Sequence, residues 1–266
     1  MAGARGYGVA GALDHAVVQD VARAAETAGY RTFWANDTPG GDGLAALAAA
    51  AAVTSRIQLA VGVIPLDRQP PDRIAGRVQE LGLPVERLTL GVGAGGARHA
   101  IELVRDGVLA LRAATGASVV IGALGPKMCA LAGEVAGGAL LNWLTPDFAL
   151  ASADLVRGAA RNANQPAPHI AGYVRAALGD EATARVREEA DRYATFPSYA
   201  AHFARMGVAP MATCATADTE DDLQAQLAAF DPSLDETVVR AITASETTAA
   251  YLELLAASAP RQGNRI

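Results

Sequence analysis

Eight times along this chain a short apolar run is followed by a turn of Gly, Pro, Asn or Asp and then by a longer stretch with helical spacing. The predicted strands are Tyr7–Ala10, Arg31–Ala35, Ile57–Val63, Leu88–Val92, Ser118–Ala123, Ala139–Trp143, His169–Ala176 and Thr237–Ile242. Strands that alternate with helices pair in parallel, and strands buried on both faces explain near-continuous apolar runs such as Ile57–Val63. An open doubly wound sheet and a closed barrel both satisfy this pattern. Eight units without a Pro- or Ser-rich linker favour one (β/α)8 barrel over residues 1–260, with 261–266 as a C-terminal tail.

The helices carry their own signals. Asp14 is placed to cap a helix whose Val17, Val18, Val21, Ala25 and Ala28 form one stripe, and Gly29 supplies a left-handed exit. Thr247 or Thr248 is placed to cap a final helix containing Tyr251, Leu252 and Leu255. Between residues 180 and 230 the pattern predicts only helices, including Glu181–Tyr193 and Glu220–Phe230, as extra cover on one unit.

Composition narrows the partners. A net charge of −6 with no run of Lys or Arg argues against nucleic acid and anionic membranes, which leaves a small molecule as the expected partner. Cys129 and Cys214 lie far apart, without metal spacing, and the four histidines lack it too, so no metal site is expected. His15 and His202 read as residues on helix faces, and no histidine is assigned a catalytic task. The N-terminus shows no basic region leading into an apolar one, and the Ala-rich run around Leu44–Val53 is too short to span a bilayer, so a cytoplasmic protein is expected.

Gly91, Gly93 and Gly96 fit GxGxxG between a predicted strand and the predicted helix His99–Arg112, the context of a dinucleotide fingerprint. The acidic partner that such a site needs about twenty residues on is missing, because the next strand ends in Gly122, Ala123 and Leu124. Two readings remain: the glycines let the backbone turn tightly, or they clear space for a flat ring. Further on, Gly125-Pro126-Lys127-Met128 combines a flexible residue, a proline suited to the first helical position and a cation beside free amides. That is an anion site, or an ordinary loop with a solvated lysine.

The stretch Val119–Pro146, VVIGALGPKMCALAGEVAGGALLNWLTP, resembles the coenzyme-binding segment of luciferase-like oxidoreductases, including the methylenetetrahydromethanopterin reductase group. AAETAGYRTFWANDTP at 24–39, SRIQLAVGVIPLDRQPP at 55–71, RLTLGVGAG at 87–95 and AHFARMGV at 201–208 agree with it in the same order. The resemblance implies a luciferase-like barrel that holds coenzyme F-420 or FMN across the C-terminal ends of its strands. It implies cofactor contacts at Gly62, Val63, Gly93, Ala94, Ala123, Leu124, Gly125, Pro126, Lys127, Met128 and Asn142, with Asn36 and Asp37 near ring and substrate in catalytic roles. Asp37-Thr38-Pro39-Gly40 is also plain turn chemistry. At Gly62–Val63 the resemblance implies a bulge with a non-proline cis peptide. Trp34 and Trp143 are candidates for either a pocket wall or the core. Family habit also implies a homodimer.

Three departures bear on chemistry. Gly96 stands where several relatives carry a carboxylate, and Ala136-Gly137-Gly138 replaces Ala-Asp-Gly. A single helix joins strands four and five where relatives have long excursions. Less cover suits hydride transfer from reduced F-420 to a small organic substrate better than oxygen activation on FMN, which needs a dry pocket. An FMN monooxygenase and a non-catalytic flavin-binding relative are the alternatives.

Overall fold

The computed structural model describes residues 3–38 and 40–261. Its strands are β1 (Ala4–Ala10), β2 (Thr32–Asn36), β3 (Gln58–Pro65), β4 (Leu88–Gly93), β5 (Ser118–Ala123), β6 (Gly138–Asn142), β7 (His169–Leu178), β8 (Ala215–Ala217) and β9 (Glu236–Ala241). The helices are α1 (His15–Thr27), α2 (Gly43–Ala51), α3 (Pro71–Glu80), α4 (Ala100–Thr115), α5 (Pro126–Val135), α6 (Pro146–Asn162), α7 (Asp180–Ala194), α8 (Pro197–Met206), α9 (Glu220–Ala228) and α10 (Thr248–Ala257).

Strands β1 to β7 pair in sequence, and β9 pairs with both β7 and β1, so eight parallel strands close into the expected (β/α)8 barrel. The short β8 corrects the helix-only reading of residues 180–230. It pairs with the far end of β7, Ala176 to Leu178, beyond the stretch that β6 covers. Three residues between helices carry too little periodicity to be read as a strand. Of the proposed tail, only Arg261 falls among the described residues; 262–266 lie outside them, as does Pro39 of the predicted turn.

The local signals act as their chemistry requires. Asp14 accepts a hydrogen bond from Ala16 N at 2.8 Å, Gly29 has φ +83°, and Thr247 rather than Thr248 caps α10. Where α5 crosses α6 the helices touch through Gly133, whose Cβ would overlap the backbone of Val156 and Ala160. That approach sets the position of α5, whose N-terminus faces the barrel mouth.

One buried cluster fills the space between sheet and helices. A second, of Trp34, Ala60, Val120, Leu140, Ala171, Tyr173 and Val238, draws on six strands and is the barrel interior. Its lower end is closed by the buried Glu236 carboxylate, which accepts from Trp34 Nε1 (2.9 Å) and Thr32 Oγ1 (3.1 Å) and pairs with His169 Nε2 (3.0 Å). Trp34 is therefore core. No helix among the described residues is long and apolar enough to cross a membrane.

Glu26 at the end of α1 ties that helix to the start of β3. Its carboxylate accepts from the amides of Ser55 (3.1 Å), Arg56 (2.7 Å) and Ile57 (2.8 Å). Burial opposes ionisation here, but the three amides and the Arg56 charge outweigh it and hold the pKa below its ordinary value. A depressed pKa contributes stability above the unfolded value of about 4.3 that disappears as the pH falls through the folded value. Thermal melts of Glu26→Gln should accordingly show a loss of about 1–3 kcal/mol at pH 7 that closes in acid. A gap independent of pH would contradict this account.

Candidate active site at the barrel mouth

The C-terminal ends of the strands form a mouth with two unlike sectors. Around β3, β4 and β5 the inward positions are glycine. The register of β3 on β4 slips between Val61 and Ile64, which marks a bulge, and the Gly62–Val63 peptide inside it is cis, as the resemblance implies. The bulge turns Val63 inward against the interior cluster. A Cβ on Gly93 would lie 3.1 Å from Val63 Cγ2, and one on Gly122 would lie 2.9 Å from Val63 Cγ1. The glycines thus clear space for Val63, and its half-buried outer surface is the flat floor of this sector.

The fingerprint reading of Gly91, Gly93 and Gly96 finds no support. Helix α4 begins only at Ala100, so the glycine turn is not its N-terminus. Gly96 N instead donates to Asp67 Oδ2 at 2.7 Å, which brings a carboxylate from the β3–α3 loop to the position where the sequence has none.

The corner at Gly125 is open. Gly125 is the N-cap of α5, no side chain caps that end, Pro126 occupies the first turn, and Lys127 is exposed. The Lys127 amide has no backbone partner among the described residues, whereas Met128 N and Cys129 N turn back to Gly125 O. The guanidinium of Arg205 on α8 reaches over the same corner, 2.6 Å from Leu124 O and 3.9 Å from where a Gly125 Cβ would stand. Two cations, the free Lys127 amide and a residue without a side chain fit a phosphate, and Val63, with Gly93 and Gly122 against it, fits the face of a ring, whereas the Ala123 side chain is buried in the outer core. Arg205 escaped the sequence reading because 77 residues separate it from Met128.

The opposite sector is charged. Asn142 at the end of β6 accepts from Arg175 Nη1 at 2.5 Å, and Arg175 Nε donates to Glu189 on α7 at 3.0 Å. The Arg175 guanidinium lies 3.6 Å over the ring of Trp143, which is fully buried beside Tyr193 and Phe203. Trp143 is thus core and not a free pocket wall. His202, on α8 as expected, ties Trp143 O (2.8 Å) to Arg205 (2.6 Å), and burial pushes its pKa down. A single charged residue inside an apolar strand was the available sign of Arg175 and of Arg240 on β9.

Asn36 and Asp37 end β2 beside the Gly62 bulge, since Ala35 pairs with Val61. Asn36 is buried and its Oδ1 has no partner among the described residues. Asp37 is half-buried and accepts from Gly43 N (3.4 Å) and Gln69 Nε2 (3.2 Å), so it takes part in turn bonding. Burial raises its pKa, with Gly43, Arg68 and Gln69 pulling the other way. No group of side chains among the described residues has the makings of a metal site.

Residues 2–116 match the family model described as luciferase-like monooxygenase. The matched part stops before the Val119–Pro146 stretch. Similar solved structures include an F420-dependent secondary alcohol dehydrogenase in complex with an F420-acetone adduct, with TM-score 0.74 and 14% identity over 97% of this chain and 99% of that one. A coenzyme F420 dependent tetrahydromethanopterin reductase from Methanopyrus kandleri has TM-score 0.72 and 15% identity over 96% and 97%. The oxygenating constituent of 3,6-diketocamphane monooxygenase from Pseudomonas putida, in complex with FMN, has TM-score 0.72 and 14% identity over 96% and 97%. No protein of curated function matches the sequence.

Proposed function

We propose that this chain, whose residues 2–116 match the luciferase-like monooxygenase model, belongs to the luciferase-like superfamily and transfers a hydride between reduced coenzyme F-420 and a small organic substrate. The observation that carries this reading is the bare β4–β5 side of the mouth: between β4 and β5 stands only α4 with its short lead-in, and nothing there forms a long cover. A hydride needs a ring face and a substrate in contact with it, whereas a reactive oxygen adduct needs exclusion of water.

In this reading the Gly125-Pro126-Lys127-Met128 turn and Arg205 hold the cofactor phosphate. Val63 in the Gly62 bulge, with Gly93, Ala94 and Leu124, supports the ring, and Asn142 keeps Arg175 fixed at its edge. When bound, the deazaflavin supplies the hydride. Asp37, next to Asn36 at the end of β2, donates the proton that a carbonyl substrate must gain, and Asn36 Oδ1 orients the substrate.

The FMN-dependent monooxygenase is the second reading, favoured by the description of the matching family and by the FMN-bound neighbour. Titration of the purified protein with F-420 and with FMN separates the two. The expected result is micromolar binding of F-420, weakened about tenfold or more in Lys127→Ala and again in Arg205→Ala, since each removes a charge-assisted contact of about 1.5–3 kcal/mol. Tight binding of FMN alone, with oxygen uptake on its reduction, would transfer the case to the second reading. Failure to bind either would end both.

A further inference from the structure

Arg175 and Arg240 are register partners on β7 and β9, directly across from each other, and both are buried (1% and 8% exposed). Tyr173 and Val238, two residues before them, belong to the interior cluster, so strand alternation points both arginines into the barrel. Two guanidinium groups therefore share the upper layer of one low-dielectric core.

Their compensation is unequal. Arg175 is bonded to Glu189 and Asn142 and stacked on Trp143, whereas Arg240 donates from Nη1 to Ala241 O at 2.6 Å and has no ion pair among the described residues. Three carboxylates and two further arginines line the cavity that opens beside Arg240: Glu246 pairs with Arg185 at 3.3 Å, Glu189 is held by Arg175 at 3.0 Å, and Glu188 and Arg192 stand beside them. Arg175 Nη2, Arg240 Nε and the Tyr173 hydroxyl are buried with no partner among the described residues. Burial pushes the Tyr173 phenol upward despite both arginines, so it remains a proton donor at neutral pH. A buried charge without an opposite charge is costly, and donors left unbonded near it add to that cost.

A cavity of 630 Å³ between α7 and the ends of β1 and β9 reaches Arg240 from solvent, with Tyr251 and Phe196 on its walls. We propose that this is an anion subsite, in which a carboxylate of the substrate is received by Arg240, the buried cation on the cavity wall whose Nε has no partner among the described residues. The substrate assignment rests on the oxidoreductase reading above; the anion site itself rests on the buried Arg240, with Arg175 beside it in register. A planar carboxylate matches the guanidinium fork, and the space behind it takes the rest of a small organic acid.

The test uses the full-length protein, with benzoate as probe, benzamide as its uncharged counterpart, and tryptophan fluorescence and thermal shift as readouts, because Trp143 stacks on Arg175. Benzoate should bind in the millimolar range and benzamide at least tenfold more weakly. Arg240→Gln should weaken benzoate at least tenfold. Glu189→Gln, which removes the one bonded carboxylate, should tighten benzoate several-fold, an effect opposite to that of general destabilisation. That second variant decides the matter if Arg240→Gln does not fold. Equal responses to the two probes, an indifferent Arg240→Gln, or weaker benzoate in Glu189→Gln would overturn the proposal. Benzoate should also leave F-420 affinity unchanged; competition between them would assign the charge to the cofactor and refute the substrate assignment. Failure of F-420 to bind, with benzoate behaving as expected, would instead refute only the cofactor reading.

Discussion

Asp37→Asn is expected to lower turnover with reduced F-420 by about 10²- to 10⁴-fold, the usual worth of a positioned proton donor, while leaving F-420 affinity nearly unchanged. Asparagine keeps the size of the side chain and an oxygen for Gly43 N or Gln69, so the turn survives the exchange. The pH profile gives the more specific readout. A donor must be protonated to act, so wild-type rates should fall as the pH rises through the raised pKa of Asp37, and that limb should vanish in the variant. The same shift has a consequence for folding. A carboxyl whose folded pKa is raised contributes stability below its unfolded value of about 3.9, and that contribution is lost as the pH climbs through the folded value. Unchanged turnover in the variant would remove Asp37 from the chemistry and leave it a turn residue.

Trp143→Ala should be among the most destabilising single changes in the barrel. The side chain is fully buried, its ring is 5.0 Å from that of Tyr193 and 5.6 Å from that of Phe203, and it carries the Arg175 guanidinium. Removing a buried tryptophan costs about 3–5 kcal/mol, which for a domain of this size lowers Tm by roughly 6–20 °C. Trp143→Phe keeps most of the packing and should cost markedly less. Similar melting temperatures for the two variants would show that the aromatic surface is not what holds α7 and α8 over the mouth.

The residue also illustrates how tertiary structure overrides local preference. Trp143 has φ +54°, a region that disfavours an L residue by about 1–2 kcal/mol. Local sequence gives no reason for it, and the last predicted residue of strand six therefore lies just past the observed end of β6. What places it there is the aromatic contact with α7 and α8 and the hydrogen bond between its carbonyl and His202. The contact partners come from 50 residues or more along the chain.

A similar division runs through the site. The Gly125 corner and the Gly62–Val63 bulge were legible because glycine and proline act on their own backbone, and a resemblance in letters carries such local geometry. The role of Gly93 and Gly122 was not, since Val63 fills the space they leave only after the bulge turns it inward. Arg205 and the Arg175–Arg240 pair were likewise hidden, because they meet their partners across strands and helices.

The order of the eight barrel strands and their parallel pairing were legible in the sequence alone, because period, turn residues and caps act within about ten neighbours; closure was favoured there by the count of eight units without a linker, and the short β8 was hidden. Tertiary structure decided the charge balance at the mouth. Closing the barrel sets β9 beside β7 and brings two arginines 65 positions apart into register. The energy of a buried charge depends on which groups surround it in space, and the linear order of residues does not state that.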